Sequence, residues 1–123
     1  MTTPQPTTSP FAHPEIDLAP RDVAARLEAG SITLIDIREQ HERDVSHIPG
    51  ATYLPIDRVA WNAHTLDWSR PVVFHCRLGW RAGMVAQAFR AIGRDAYNLD
   101  GGMLAWREAG LDTKPADAPI AGH

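Results

Sequence analysis

Residues 71–93 read "PVVFHCRLGWRAGMVAQAFRAIG". The run Val72–His75 is short, apolar and β-branched at its start, which suits a strand buried on both faces. After Trp80 the spacing changes to that of a helix. Val85, Ala88, Phe89 and Ile92 fall on one face, and Gly93 suits the stop. Between them lies a loop of five residues, Arg77–Arg81, opened by Cys76, the only cysteine in the chain. A strand, a short loop and a helix in this order form half of a parallel βαβ unit.

The same alternation runs through the rest. "EIDL" reads as a short edge strand, and "PRDVAARLEAG" as a helix with Pro20 in its first turn and Gly30 at its end. "ITLIDI" is a second buried strand, and the charged "HERDV" a short helix or turn. "HIPGATYLP" holds a Pro-Gly turn, Pro49–Gly50, before a third strand. "IDRVAWNA" reads as a helix, "AYNL" as a last strand and "GMLAWREAG" as a last helix, with Trp106 in the core. The expectation is an α/β fold of three layers, α/β/α, around a parallel sheet of about five strands. Residues 1–14 carry four prolines and four threonines and read as a disordered or extended arm. Residues 15–112 form the domain, and residues 113–123 read as a flexible tail.

Composition excludes several classes. The chain has 123 residues, 44% apolar and 22% charged, with a net charge of -3. One core suits that length. The mild charge gives no argument for nucleic acid or an anionic membrane as partner. No apolar run approaches the ~20 residues of a membrane span. The N-terminus lacks a signal-peptide pattern, and one cysteine permits no internal disulfide, so a cytoplasmic setting is expected.

In open parallel sheets, ligands bind beyond the carboxyl ends of the strands. Cys76 sits at such an end, ahead of a helix N-terminus whose free N–H groups and partial positive charge stabilise a thiolate. Gly79 allows successive N–H groups to curl inward around an anion, and Arg77 and Arg81 add fixed charge. The competing reading makes Cys76 a small buried hydrophobe. A metal site is not expected: there is no second cysteine, and His13, His41, His47, His64, His75 and His123 show no paired ligand spacing. Asp36, at the end of the second strand, pairs with Arg38 as structural support rather than as a direct catalyst. His47 is expected to satisfy backbone groups near its turn. His75 alternates away from the Cys76 side chain. Gly101 and Gly102 allow a sharp turn and a close backbone approach.

"CRLGWRA" (76–82) resembles the active-site loop of the rhodanese family of sulfurtransferases. "LIDIREQHERDVSHIPGATYLP" (34–55) is similar to the family's upstream segment, and "NLDGGMLAWREAGL" (98–111) to its closing one. Three segments in this order cover nearly all of the domain. The resemblance implies a rhodanese-like fold and a single-domain thiosulfate sulfurtransferase. In that reading Cys76 is a nucleophile that carries sulfane sulfur as a persulfide, and Arg77, Leu78, Gly79, Trp80 and Arg81 bind substrate. It implies no cofactor and no metal. Partners would be small sulfur compounds such as thiosulfate, cyanide and thiols, or a protein persulfide donor or acceptor. Ser46, Arg43 and Trp80 depart from the family pattern, and Trp80, beside the cysteine, bears on the substrate. Two alternatives stand beside this reading. One is a persulfide carrier or interaction module. The other is a cysteine phosphatase or arsenate reductase, whose arginine stands six positions after the cysteine, where this chain has Ala82.

Overall fold

The computed structural model describes residues 15–116 and 118–122. Among them five strands form one parallel sheet: β1 (Asp17–Leu18), β2 (Thr33–Asp36), β3 (Thr52–Tyr53), β4 (Val72–His75) and β5 (Ala96–Leu99). The spatial order is β1-β5-β4-β2-β3. The helices are α1 (Pro20–Glu28), α2 (Gln40–Val45), α3 (Ile56–Asn62), α4 (Trp80–Ala91) and α5 (Gly102–Glu108). The expected three-layer α/β fold is therefore the observed one. The arm expected over residues 1–14 lies outside the described residues.

Strand alternation divides the core into two. Ile35, Ile37, Val72, Phe74 and Cys76 face one layer with Val59 of α3 and Ala82, Val85, Ala86 and Phe89 of α4. Phe89 stacks on Phe74 with ring centroids 5.5 Å apart, and Trp68 tilts against Phe89 at 5.3 Å. Leu34, Val73 and Leu99 face the other layer, with Val23 of α1 and Met103 and Trp106 of α5. Trp106 is buried as expected, and its indole N–H donates to the Asp112 carbonyl at 2.8 Å.

The buried face of α4 differs from the expected one. Ala88 is exposed and Ile92 is 72% exposed. Ala82, Val85, Ala86 and Phe89 are the residues that meet the sheet. Ile92 is already the C-cap, where the chain leaves helical geometry and the 3.6-residue period no longer points its side chain inward.

The segment read from its composition as a flexible tail makes defined contacts. Lys114 pairs antiparallel with His47, Arg107 donates to Thr113 Oγ1 and the Ala118 carbonyl, and Ser46 Oγ donates to the Pro119 carbonyl. Ile120 packs on the α1/α5 layer. Lys114, Ala118 and Pro119 take part through backbone N–H or carbonyl groups, on which proline and alanine content has no bearing, and Thr113 takes part through its hydroxyl. His47 joins the pairing through its own N–H and carbonyl, at 3.0 and 2.9 Å.

Candidate active site

β4 delivers Cys76 to the carboxyl edge of the sheet, between β2 and β5. The chain turns at once. Gly79 has φ +96°, and a Cβ there would stand 3.1 Å from the Gly101 nitrogen. Glycine therefore answers both the backbone conformation and the close approach. The turn brings the N–H groups of Gly79 and Ala82 onto Cys76 Sγ at 3.1 and 3.4 Å. Cys76 is only 1% exposed and belongs to the apolar core, as the buried-hydrophobe reading required. Two converging N–H donors go beyond that reading, because packing alone does not aim donors at a sulfur.

α5 holds the loop from outside. The Met103 N–H donates to the Cys76 carbonyl at 2.8 Å, and the Leu104 N–H to the Arg77 carbonyl at 3.2 Å. With its carbonyls tied back in this way, the loop turns N–H groups inward. Gly101 and Gly102, at φ +73° and +60°, bring the start of α5 this close. A Cβ on Gly102 would lie 2.4 Å from the Cys76 carbonyl oxygen.

The loop's side chains divide. Arg77 is half-buried, and its Nε is buried without a hydrogen-bond partner among the described residues. Leu78 is exposed, and Trp80, the first residue of α4, is 46% exposed at the loop's outer edge. Arg81 is paired within the protein. Its Nη1 and Nη2 both donate to the Glu42 carboxylate at 3.1 Å. Glu42 is fully buried and also accepts the Glu39 N–H at 2.8 Å. Burial opposes ionisation of Glu42, but the Arg81 hydrogen bonds and the Glu39 N–H outweigh it and hold the carboxyl below its ordinary range. The charged segment "HERDV" reads only as a short helix or turn, so its sequence alone does not single out Glu42.

Asp36 and Arg38 form the expected pair, wholly buried. Arg38 Nε and Nη2 reach Asp36 Oδ1 and Oδ2 at 3.0 and 2.9 Å, and Nη2 also donates to the Ser46 carbonyl at 2.7 Å. His75 stands beside Asp36 in the register of β4 on β2, with Nε2 3.9 Å from Oδ2. These side chains alternate away from Cys76. They brace the strand ends rather than touch the sulfur. Burial opposes the charged form of Asp36, yet His75 and the Arg38 guanidinium hold its carboxyl below the usual range. Burial pushes His75 down to about 4, against the pull of Asp36.

A stability prediction follows from His75. Its pKa is about 4 in the folded protein against an ordinary 6.5, so the unfolded chain takes up the proton first. Stability is therefore lost as pH falls from 6.5 to 4, by about 3 kcal/mol in all from this residue. Asp36 contributes in a different window. Its lowered value removes stability only as pH falls below its ordinary 3.8. Thermal melts between pH 7.5 and 4 should thus show a fall that His75→Asn flattens. An unchanged slope in His75→Asn would assign the fall to other groups.

Among the described residues no cluster of three His, Cys, Asp or Glu side chains could hold a metal ion, and no helix is long and apolar enough to cross a membrane.

The Rhodanese-like domain family matches residues 19–109. An HTH-type transcriptional regulator of Mycobacterium tuberculosis is 39% identical over 114 residues, 89% of this chain and 49% of that protein. The chain thus spans about half the length of that relative. The thiosulfate sulfurtransferase GlpE of Shewanella oneidensis is 34% identical, over 82% of this chain and 97% of that protein. Among solved structures, a rhodanese-related protein of Thermoplasma volcanium superposes with a TM-score of 0.73 at 19% identity, over 80% of this chain and 96% of that one. At that identity the likeness speaks for the fold.

Proposed function

The chain belongs to the rhodanese-like domain family, and we propose on that premise that it is a sulfurtransferase carrying sulfane sulfur as a persulfide on Cys76. The observation that carries the reading is the pair of N–H groups, of Gly79 and Ala82, aimed at a lone sulfur at a strand end. The Cys76 thiolate attacks the outer sulfur of a donor such as thiosulfate. The new S–S bond forms as the old one breaks, and sulfite leaves with the bonding electron pair. The persulfide anion left on Cys76 has the same charge as the thiolate it replaces, so the loop's fixed donors serve both states. A nucleophilic acceptor, cyanide or a thiol, then takes the outer sulfur and returns the thiolate. This is covalent catalysis in two displacements and needs no metal.

Arg77 is the loop cation left for an anionic donor, and Leu78 and Trp80 supply an apolar rim on which an acceptor rests while reacting. Arg77→Ala should raise KM for thiosulfate about tenfold with kcat little changed, because it removes binding rather than transition-state contacts. The reading is tested with a panel of sulfur donors, each incubated with the protein and followed by intact mass. One added sulfur atom per chain, lost on addition of cyanide, is the expected result. No adduct with any donor would remove the proposal.

The match to about half of a protein named as a transcriptional regulator supports a second reading, a persulfide carrier or interaction module. A chain that loads sulfur but yields it to neither cyanide nor small thiols would favour that reading.

A further inference from the structure

A carboxylate buried as deeply as Glu42 needs a partner, and a helix cap alone is worth only about 1 kcal/mol. Glu42 does cap α2, through a reciprocal contact with Glu39. That role uses one oxygen. Both oxygens also reach across to Arg81, 39 residues away on α4. Arg81 directly precedes Ala82, whose N–H touches Cys76 Sγ, and its guanidinium lies within the electrostatic reach of that sulfur. We propose that Glu42 is a positioning residue for the candidate site: it ties Arg81 into a neutral pair at the loop's edge and so sets how much positive charge Cys76 feels. The inference rests on the reading of Cys76 as the nucleophile.

The surrounding charges leave the pair in control. Arg77 lies on the loop itself. Glu39 is largely exposed and screened by solvent, although it also acts on Arg81. Arg38 stands behind Glu42 but is committed to Asp36. His75 on β4 is neutral above pH 5. α5 contributes the N–H groups of Met103 and Leu104 to the loop's carbonyls.

A balanced pair makes a signed prediction. Glu42→Gln keeps the shape and the capping amide but leaves Arg81 with an uncompensated charge, which favours the thiolate. Arg81→Gln leaves the buried carboxylate unpaired, which disfavours it. In the double variant both charges are gone. The measurement is the pH dependence of Cys76 alkylation by iodoacetamide at low salt, with melts to show that each variant is folded. The profile of Glu42→Gln should move to lower pH and that of Arg81→Gln to higher pH, each by about half to one pH unit. The double variant should return close to the parent. If Arg81→Gln fails to fold, the comparison of Glu42→Gln with the double variant decides: the double must lie at the higher pH. Shifts of the same sign in both single variants, or none, would reduce Glu42 to a helix cap. Alkylation needs no sulfur donor, so this outcome is independent of the sulfurtransferase test. Opposed shifts in a protein that loads no sulfur would uphold the pair and sink the function.

Discussion

Cys76→Ser should take up no sulfur from thiosulfate, with turnover falling on the order of 10³-fold or more. The chain has one cysteine, so no second thiol can stand in. A serine hydroxyl is not deprotonated at neutral pH. It also forms no stable bond to sulfane sulfur equivalent to a persulfide. The substitution spares the fold. The hydroxyl is smaller than the thiol and can still accept the N–H groups that reach Sγ from Gly79 and Ala82. A loss of activity with a melting temperature within a few degrees of the parent is therefore the expected pair of results. A Cys76→Ser variant that turns over at the parent rate would remove Cys76 from the mechanism altogether.

Much of this site is legible before any coordinates, for a local reason. The strand, the glycine and the helix that shape the loop are contiguous in residues 72–91, and each announces itself by pattern. Asp36 and Arg38 are two residues apart, so their pairing is equally local. The partners that come from elsewhere are not legible. Nothing in "EQHERDV" (39–45) distinguishes Glu42 from Glu39, yet one is buried against α4 and the other faces solvent. Arg81 reads as a cation free to meet an anion, and only the fold reveals that it is already paired. Ile92 differs for another reason: it stands one residue past α4, where the helical period no longer sets the direction of a side chain. Lys114, Ala118 and Pro119 make their contacts through backbone groups, and composition carries no signal for those.

Gly102 is the case in which the sequence indicates a turn and the structure gives its purpose. A methyl group there would stand 2.4 Å from the Cys76 carbonyl oxygen and 2.6 Å from that of Arg77. Both are backbone atoms, and both carbonyls accept hydrogen bonds from α5 itself. Relief therefore requires the helix and the loop to part, which breaks the contacts that turn the loop's N–H groups inward. Gly102→Ala should cost about 3 kcal/mol, combining the strain of positive φ with overpacking. That lowers Tm by about 10 °C or more. Sulfur loading measured well below the new Tm should fall about 10²-fold, because displaced donors no longer meet the anion. Gly110→Ala is the control. Gly110 also has a positive φ, +77°, but a Cβ there meets nothing within 4 Å. It should show the conformational strain alone, about 1 kcal/mol, with loading unchanged. If the two variants melt alike and load sulfur alike, the approach of α5 to the loop is looser than the geometry requires. The cradle around Cys76 would then have to be held by the loop's own turn.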